Sequence, residues 1–192
     1  MKQTLLAGLL LSASVGLAAD HVGFVNVNKA IDPGLFADVI SNSVTCSTDV
    51  SYRIDAVERI DVAALVAKAA QGYPKDERKI SVYFVNDASL PPQVVSPGFF
   101  AVINVRGLDK DADAAKFRTR LVKMGLKGLA FSCGFGANQD IGRCVMAAGS
   151  FETLKGIDGT SATYSPFCYF PLCEYLRARN LVAPPPVNPE DE

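Results

Sequence analysis

The chain has 192 residues, 49% hydrophobic and 20% charged, which suffices for one domain with a proper core and is too apolar for a disordered segment or a fibre. Nineteen basic side chains against twenty acidic ones leave a formal charge of -1. Without a net positive field or a lysine–arginine run, no nucleic-acid partner is expected.

The first residues read as an export signal. Met1-Lys2-Gln3 is a short positive region, and Leu5 to Leu17 is an apolar stretch too short to span a bilayer. Small residues at Gly16, Ala18 and Ala19 place cleavage after Ala18 or Ala19. The expectation is a signal peptide over 1–19, one α/β domain over 20–182 and a proline-rich flexible tail over 183–192. The mature protein is expected in the periplasm or secreted, with no membrane span.

His21 to Val27 has the β-branched and aromatic content of a first strand. Asp32-Pro33 opens a helix whose Leu35, Phe36, Val39 and Ile40 form a core face. Val44 to Ile54 alternates and reads as a second strand carrying Cys46. Asp61 caps a helix that Gly72 and Pro74 terminate. Lys75 to Lys79 reads as a solvated turn. Ile80 to Val85 is a near-continuous apolar run, the mark of a central strand covered on both faces. Pro91, Pro92 and Pro97 make Asn86 to Gly98 a loop or an edge segment. Phe99 to Val105 is the next strand.

Asp109, Asp111 and Asp113 precede a long helix over about 111–131. They lack the glycine and terminal glutamate of a calcium loop, so they read as acidic residues at a helix N-terminus. On that helix Phe117, Leu121, Met124 and Gly128 share one face, with Gly125 and Leu129 beside them, so an amphipathic helix is expected. Gly125 and Gly128 cost it about 1 kcal/mol each relative to alanine, which implies close packing against another backbone. Phe151 to Leu154 reads as one helical turn, and Ser165-Pro166 opens a last helix through Cys173 to Arg179. The fold expected is α/β: a mixed, mainly parallel sheet on two or three helices, with an irregular, cysteine-bearing C-terminal part.

Export would permit disulfides among Cys46, Cys133, Cys144, Cys168 and Cys173, an odd number that leaves one thiol over. Cys133/Cys144 and Cys168/Cys173 form two close pairs, a layout shared by zinc knuckles and disulfide staples, and an oxidising compartment favours disulfides. Cys168 and Cys173, five positions apart in a helix, would not bond to each other, so each is left to pair with Cys133 or Cys144.

The element order, with Cys144-Val145-Met146 after the long helix, resembles the metzincin zinc peptidases, and within them the archaemetzincins. That family carries HExxHxxGxxHC, then Cys-x-Met, then a C-terminal Cys-x-x-Cys. The resemblance implies that Cys133 closes the motif, that Met146 is the methionine under the zinc site, and that Cys144 is its cysteine partner. The three histidine positions then hold Val122, Leu126 and Ser132, and the glutamate position holds Lys123. Gly125 falls where the family often has the glycine of its HELGH. Cys133, Cys144, Cys168 and Cys173 would match the family's structural-zinc cysteines, but with four residues inside the last pair where the family has two.

No cofactor is expected, since zinc needs imidazole, thiolate or carboxylate ligands and the motif positions offer none. The sole histidine is His21, no Gly-x-Ser-x-Gly is present, and the glycines at 134, 136 and 142 follow a helix where a phosphate loop would precede one. Phe167, Tyr169, Phe170 and Tyr175 are expected in core packing around the cysteines, with a ligand groove as the other use. The functional expectation is an exported peptidase-like domain without catalysis, binding a protein or peptide partner by strand addition beneath Phe99 to Val105. The alternative is an exported hydrolase using carboxylates such as Glu152 and Asp158.

Overall fold

The computed structural model describes residues 21–72, 80–137, 144–149 and 153–182. The signal segment, the charge run at 75–79, Gly142, Glu152 and the tail at 183–192 lie outside them.

Five strands make one sheet: β1 (Val22–Val27), β2 (Tyr52–Val57), β3 (Ser81–Val85), β4 (Gln93–Ser96) and β5 (Phe100–Asn104), in the order β2-β1-β3-β5-β4. β1, β2, β3 and β5 run parallel, and β4 pairs with β5 antiparallel, Val94 opposite Val102. The mixed, mainly parallel sheet is as the sequence leads one to expect, with the apolar run at 80–85 on the central strand. The prolines account for β4: Pro91, Pro92 and Pro97 flank a four-residue strand at the sheet edge, where a missing N–H costs no ladder bond.

The strands alternate between two cores. Val22, Phe24, Val82, Phe84, Ala101 and Ile103 face one, shared with α1 (Pro33–Val39), α4 (Ala114–Ser132) and the C-terminal segment. Val25, Val27, Val85, Phe100 and Val102 face the other, shared with α3 (Val62–Gln71). Helices α1, α3 and α4 start where an oxygen side chain satisfies a free N–H: Asp32 accepts from Leu35, Asp61 from Ala64 and Asp113 from Lys116. Thr153 does the same for α5 (Leu154–Gly159), accepting from Gly156. α6 (Pro166–Ala178) begins with proline in its first turn.

Three expectations need correction. Val44 to Ile54 is not one strand: the chain continues from α1 through a π-helical segment, Ile40–Val44, into α2 (Thr45–Thr48), so Cys46 is helical. Hydroxyls favour this, Ser41 bonding back to Ala37 O and Thr48 to Val44 O, and Val44 is buried against Gly125 of α4. Asp49, at φ +52°, ends the helix and lets β2 begin at Tyr52. Second, α4 is not amphipathic in its C-terminal half. From Arg120 to Ser132 it is buried all round. Third, Phe167 and Phe170 are 80% and 61% exposed rather than core, on a helix face where Pro171 leaves the Phe167 carbonyl without a helical partner.

Candidate functional site

The buried half of α4 carries three cations, Arg120, Lys123 and Lys127, at helical spacing on one stripe. Arg120 and Lys123 are received by the C-terminal segment and by the loop before α4. Arg120 makes a bidentate pair with Asp158 of α5, Nε–Oδ1 2.8 Å and Nη2–Oδ2 2.8 Å, and its Nη1 donates to the carbonyls of Leu108 and Lys110 at 2.7 Å each. Lys116 reaches the same carboxylate at 3.2 Å. The Arg120 guanidinium thus holds Asp158 well below the usual carboxylate range. Lys123 Nζ donates to Ile157 O at 2.8 Å, and the Tyr164 hydroxyl donates to Leu126 O. Burial pushes the Lys123 amine down and the Lys127 amine down to about 7. α5 and Tyr164 are in this way strapped across α4.

Of the positions that the resemblance aligns with the zinc motif, Lys123 lies on the strapped stripe, while Val122, Leu126 and Ser132 point to other sides of the buried helix. Val122, Lys123, Leu126 and Ser132 are all buried, Lys123 is spent on a carbonyl, and the Ser132 hydroxyl donates to Leu129 O at 2.8 Å. Val122 and Ser132 also lie on the same unbroken helix, ten positions and so about 15 Å apart along its axis. The motif glycine falls on Leu129, which is helical and fully buried. α4 ends instead at Gly134, φ +93°, where the N–H groups of Gly134 and Phe135 cap the carbonyls of Phe131 and Ala130. The three histidine positions therefore do not converge on one point. Their side chains supply no zinc donor set, and among the described residues no group of three or more histidine, cysteine or acidic side chains is arranged to hold a metal. Met146, the methionine of the Cys-x-Met, is buried in the same core as α4.

The four cysteines whose side chains are described separate into a close pair and two others. Cys144 and Cys168 have their sulfurs 3.7 Å apart and are not bonded. Cys133 is buried at the end of α4, where burial pushes its thiol up to about 12, and Cys173 is buried on α6. The family's four-cysteine zinc site is not assembled from them.

The other candidates disperse. Asp158 is committed to Arg120 and so is poorly placed for acid–base work, and its suggested partner Glu152 lies outside the described residues. His21 precedes β1. Asp113 caps α4, while Asp109 and Asp111 lie ahead of it. Tyr169 packs edge-on against Phe170, and Tyr175 against Phe135 with Arg179 over its ring. β5 is paired along both edges, so it offers no free edge for strand addition, and β4 is the edge strand on that side of the sheet. At the carboxyl end of β5, a cavity of about 400 Å³ is lined by Asp87, Asn104, Arg106, Met124, Leu154 and Ile157. Asn104 shapes its wall, donating to the carbonyls of Asp87 and Leu90. A second cavity, of about 440 Å³, opens at the carboxyl ends of β1 and β3, rimmed by Lys29, Glu58, Arg59 and Asp87. Sequence reasoning missed Arg120 and Lys127. The signal available was their cationic stripe with Lys123, which a helix can bury when the carbonyls and the carboxylate of a later segment receive it.

The sheet order and the long buried helix define a mixed, mainly parallel α/β fold, and comparison makes it specific. No family model matches the chain, and no curated protein matches it. Among solved structures it is similar to the archaemetzincin of Methanopyrus kandleri, with a TM-score of 0.60 and 17% identity over 85% of this chain and 99% of that one. It is also similar to the archaemetzincin of Archaeoglobus fulgidus complexed with malonate, with a TM-score of 0.53 and 15% identity over 77% of this chain and 97% of that one. The chain has an archaemetzincin-like fold.

Proposed function

We propose that the chain is an exported, non-catalytic archaemetzincin-like domain that binds or scaffolds a protein or peptide partner. The observation that carries this reading is the closed face of α4. Where the sequence resemblance puts three zinc ligands and a general base stand Val122, Leu126, Ser132 and Lys123, all buried, with Lys123 bonded to Ile157 O and the helix running straight through the turn the ligands would need. A peptidase fold without ligands retains its sheet edge. The outer edge of β4, which has no strand partner in the sheet, suits an extended peptide held by main-chain hydrogen bonds. Export rests on the apolar, small-residue N-terminus. Among the described residues no helix is long and apolar enough to cross a membrane.

The test is metal analysis of the purified protein after dialysis, with a peptidase assay on denatured casein. The expected result is sub-stoichiometric zinc and no cleavage. One equivalent of zinc together with cleavage abolished by a chelator would overturn the proposal. Export is tested separately, by fractionating expressing cells and sequencing the mature N-terminus, which should begin at Ala19 or Asp20.

A further inference from the structure

The surroundings of Cys144 and Cys168 carry more than packing. Cys144 lies in a turn beneath α4 closed by Ala147 N bonding to its carbonyl, and Cys168 lies in the first turn of α6. Their sulfurs are 3.7 Å apart. The Cys144 sulfur accepts from the backbone N–H of Ser165 at 3.2 Å and of Met146 at 3.4 Å. Beside both sulfurs sits the Ser165 hydroxyl, buried and otherwise without a hydrogen-bond partner. The Lys127 amine is within electrostatic reach of Cys144. Burial pushes the Cys144 thiol up, but the N–H groups of Ser165 and Met146, the Ser165 hydroxyl and the Cys168 thiol together outweigh it and the net shift is downward, whereas burial leaves the Cys168 thiol raised. Access has the opposite asymmetry: Cys144 is buried and Cys168 is half-buried.

A tetrahedral zinc would hold two sulfurs at nearly this spacing, about 3.8 Å for bonds of about 2.3 Å. It would also need two further donors, and none is arranged around this pair among the described residues. We propose that Cys144 and Cys168 form a dithiol–disulfide couple that fastens α6 to the turn under α4, with Cys133 and Cys173 remaining thiols. The oxidant is a small-molecule disulfide. The accessible Cys168, giving its proton to solvent, attacks one sulfur of that disulfide, forming a mixed disulfide and releasing one small thiol. The Cys144 thiolate then attacks the Cys168 sulfur, closing the protein disulfide and expelling the second small thiol. Two electrons pass from the protein to the small disulfide, whose S–S bond is replaced by the one formed. The sulfurs must approach by about 1.7 Å, a side-chain rotation rather than a rearrangement of the fold.

The experiment uses the whole purified chain, reduced and then exposed to oxidised glutathione without air, followed by thiol titration and non-reducing peptide mapping. The expected outcome is loss of two thiols, a Cys144–Cys168 cross-linked peptide, and a Tm about 5–10 °C above that of the reduced protein. Cys144→Ser should accumulate a stable glutathione adduct on Cys168, and Cys168→Ser should form neither adduct nor cross-link at Cys144. A cross-link joining Cys168 to Cys133 or Cys173 would overturn the proposal. So would one equivalent of zinc in the reduced wild type that Cys168→Ser abolishes. Should Cys144→Ser fail to fold, wild-type mapping and the half-buried Cys168→Ser still decide the matter.

Discussion

At the scale of single residues, the cost of burying three cations along α4 is met unequally. Arg120 is 2% exposed and fully engaged by one carboxylate and two carbonyls. Asp158→Asn removes the carboxylate that hydrogen-bonds to it and leaves a buried guanidinium hydrogen-bonded to neutral partners, so a loss of about 3 kcal/mol is expected in urea unfolding. Because Asp158 is held below its ordinary 3.8, that stabilisation is complete above pH 4 and is lost as pH falls below it. Lys127 behaves in the opposite sense. Its folded value is lowered from 10.5 to about 7, so from pH 7 upward the unfolded chain holds a proton that the folded one has released. Stability should therefore rise by about 2 kcal/mol between pH 7 and 9. Above pH 9 the trend reverses, since the unfolded cysteine ionises near 9.0 while folded Cys133 keeps its proton to about 12, and Tyr164 is raised as well. Lys127→Met should flatten the rise between pH 7 and 9 in thermal melts, and a profile unchanged by it would refute this assignment.

At the scale of elements, caps and breakers were legible. Asp32, Asp61, Asp113 and Ser165-Pro166 start helices where local hydrogen bonding and a preset proline φ demand, and the three prolines around 91–97 confine β4 to the edge. The glycine argument also holds: a Cβ on Gly128 would stand 2.6 Å from Val82 Cγ1 and 3.1 Å from Ile103 Cγ1, and one on Gly125 would stand 3.3 Å from Val44 Cγ2. Gly128→Ala should therefore destabilise by about 1–3 kcal/mol despite its gain of about 1 kcal/mol in helix propensity, because the sheet side chains have to move. Gly125→Ala should cost less, and chemical denaturation of the two variants orders them. The second strand was misread because β-branched residues at 44–50 suit either structure. Burial of Ile40 and Val44 against α4 decided for helix. Phe167 and Phe170 on α6 are exposed where core packing was expected, while Tyr175 packs on the core, since composition does not say which helix face meets a neighbour. Phe167→Ser with Phe170→Ser should leave stability within about 0.5 kcal/mol, as Tm measurements would show, because neither ring is in the core.

At the scale of the whole molecule, the fold is archaemetzincin-like. The sheet order and the shares of chain covered place both solved archaemetzincins on this architecture. The helix that would carry ligands runs on to Ser132 because Leu129 continues it where the family motif has glycine. Restoring the side chains alone should not restore the metal. A variant with Val122→His, Lys123→Glu, Leu126→His and Ser132→His is expected to bind less than one equivalent of zinc after dialysis, because one of its histidines lies about 15 Å along the axis from another. Stoichiometric, chelator-sensitive zinc in that variant would show that α4 can be reshaped around the ion.

The sequence by itself determined what depends on neighbours in the chain: strand composition, helix starts, the proline-bounded edge and the missing ligands at Val122, Lys123, Leu126 and Ser132. Only the tertiary structure decided that the stripe of Arg120, Lys123 and Lys127 is buried, that Cys144 meets Cys168 across twenty-four positions, and that β5 has no open edge. These are contacts between distant segments, and their energies come from desolvation and pairing that local periodicity does not encode.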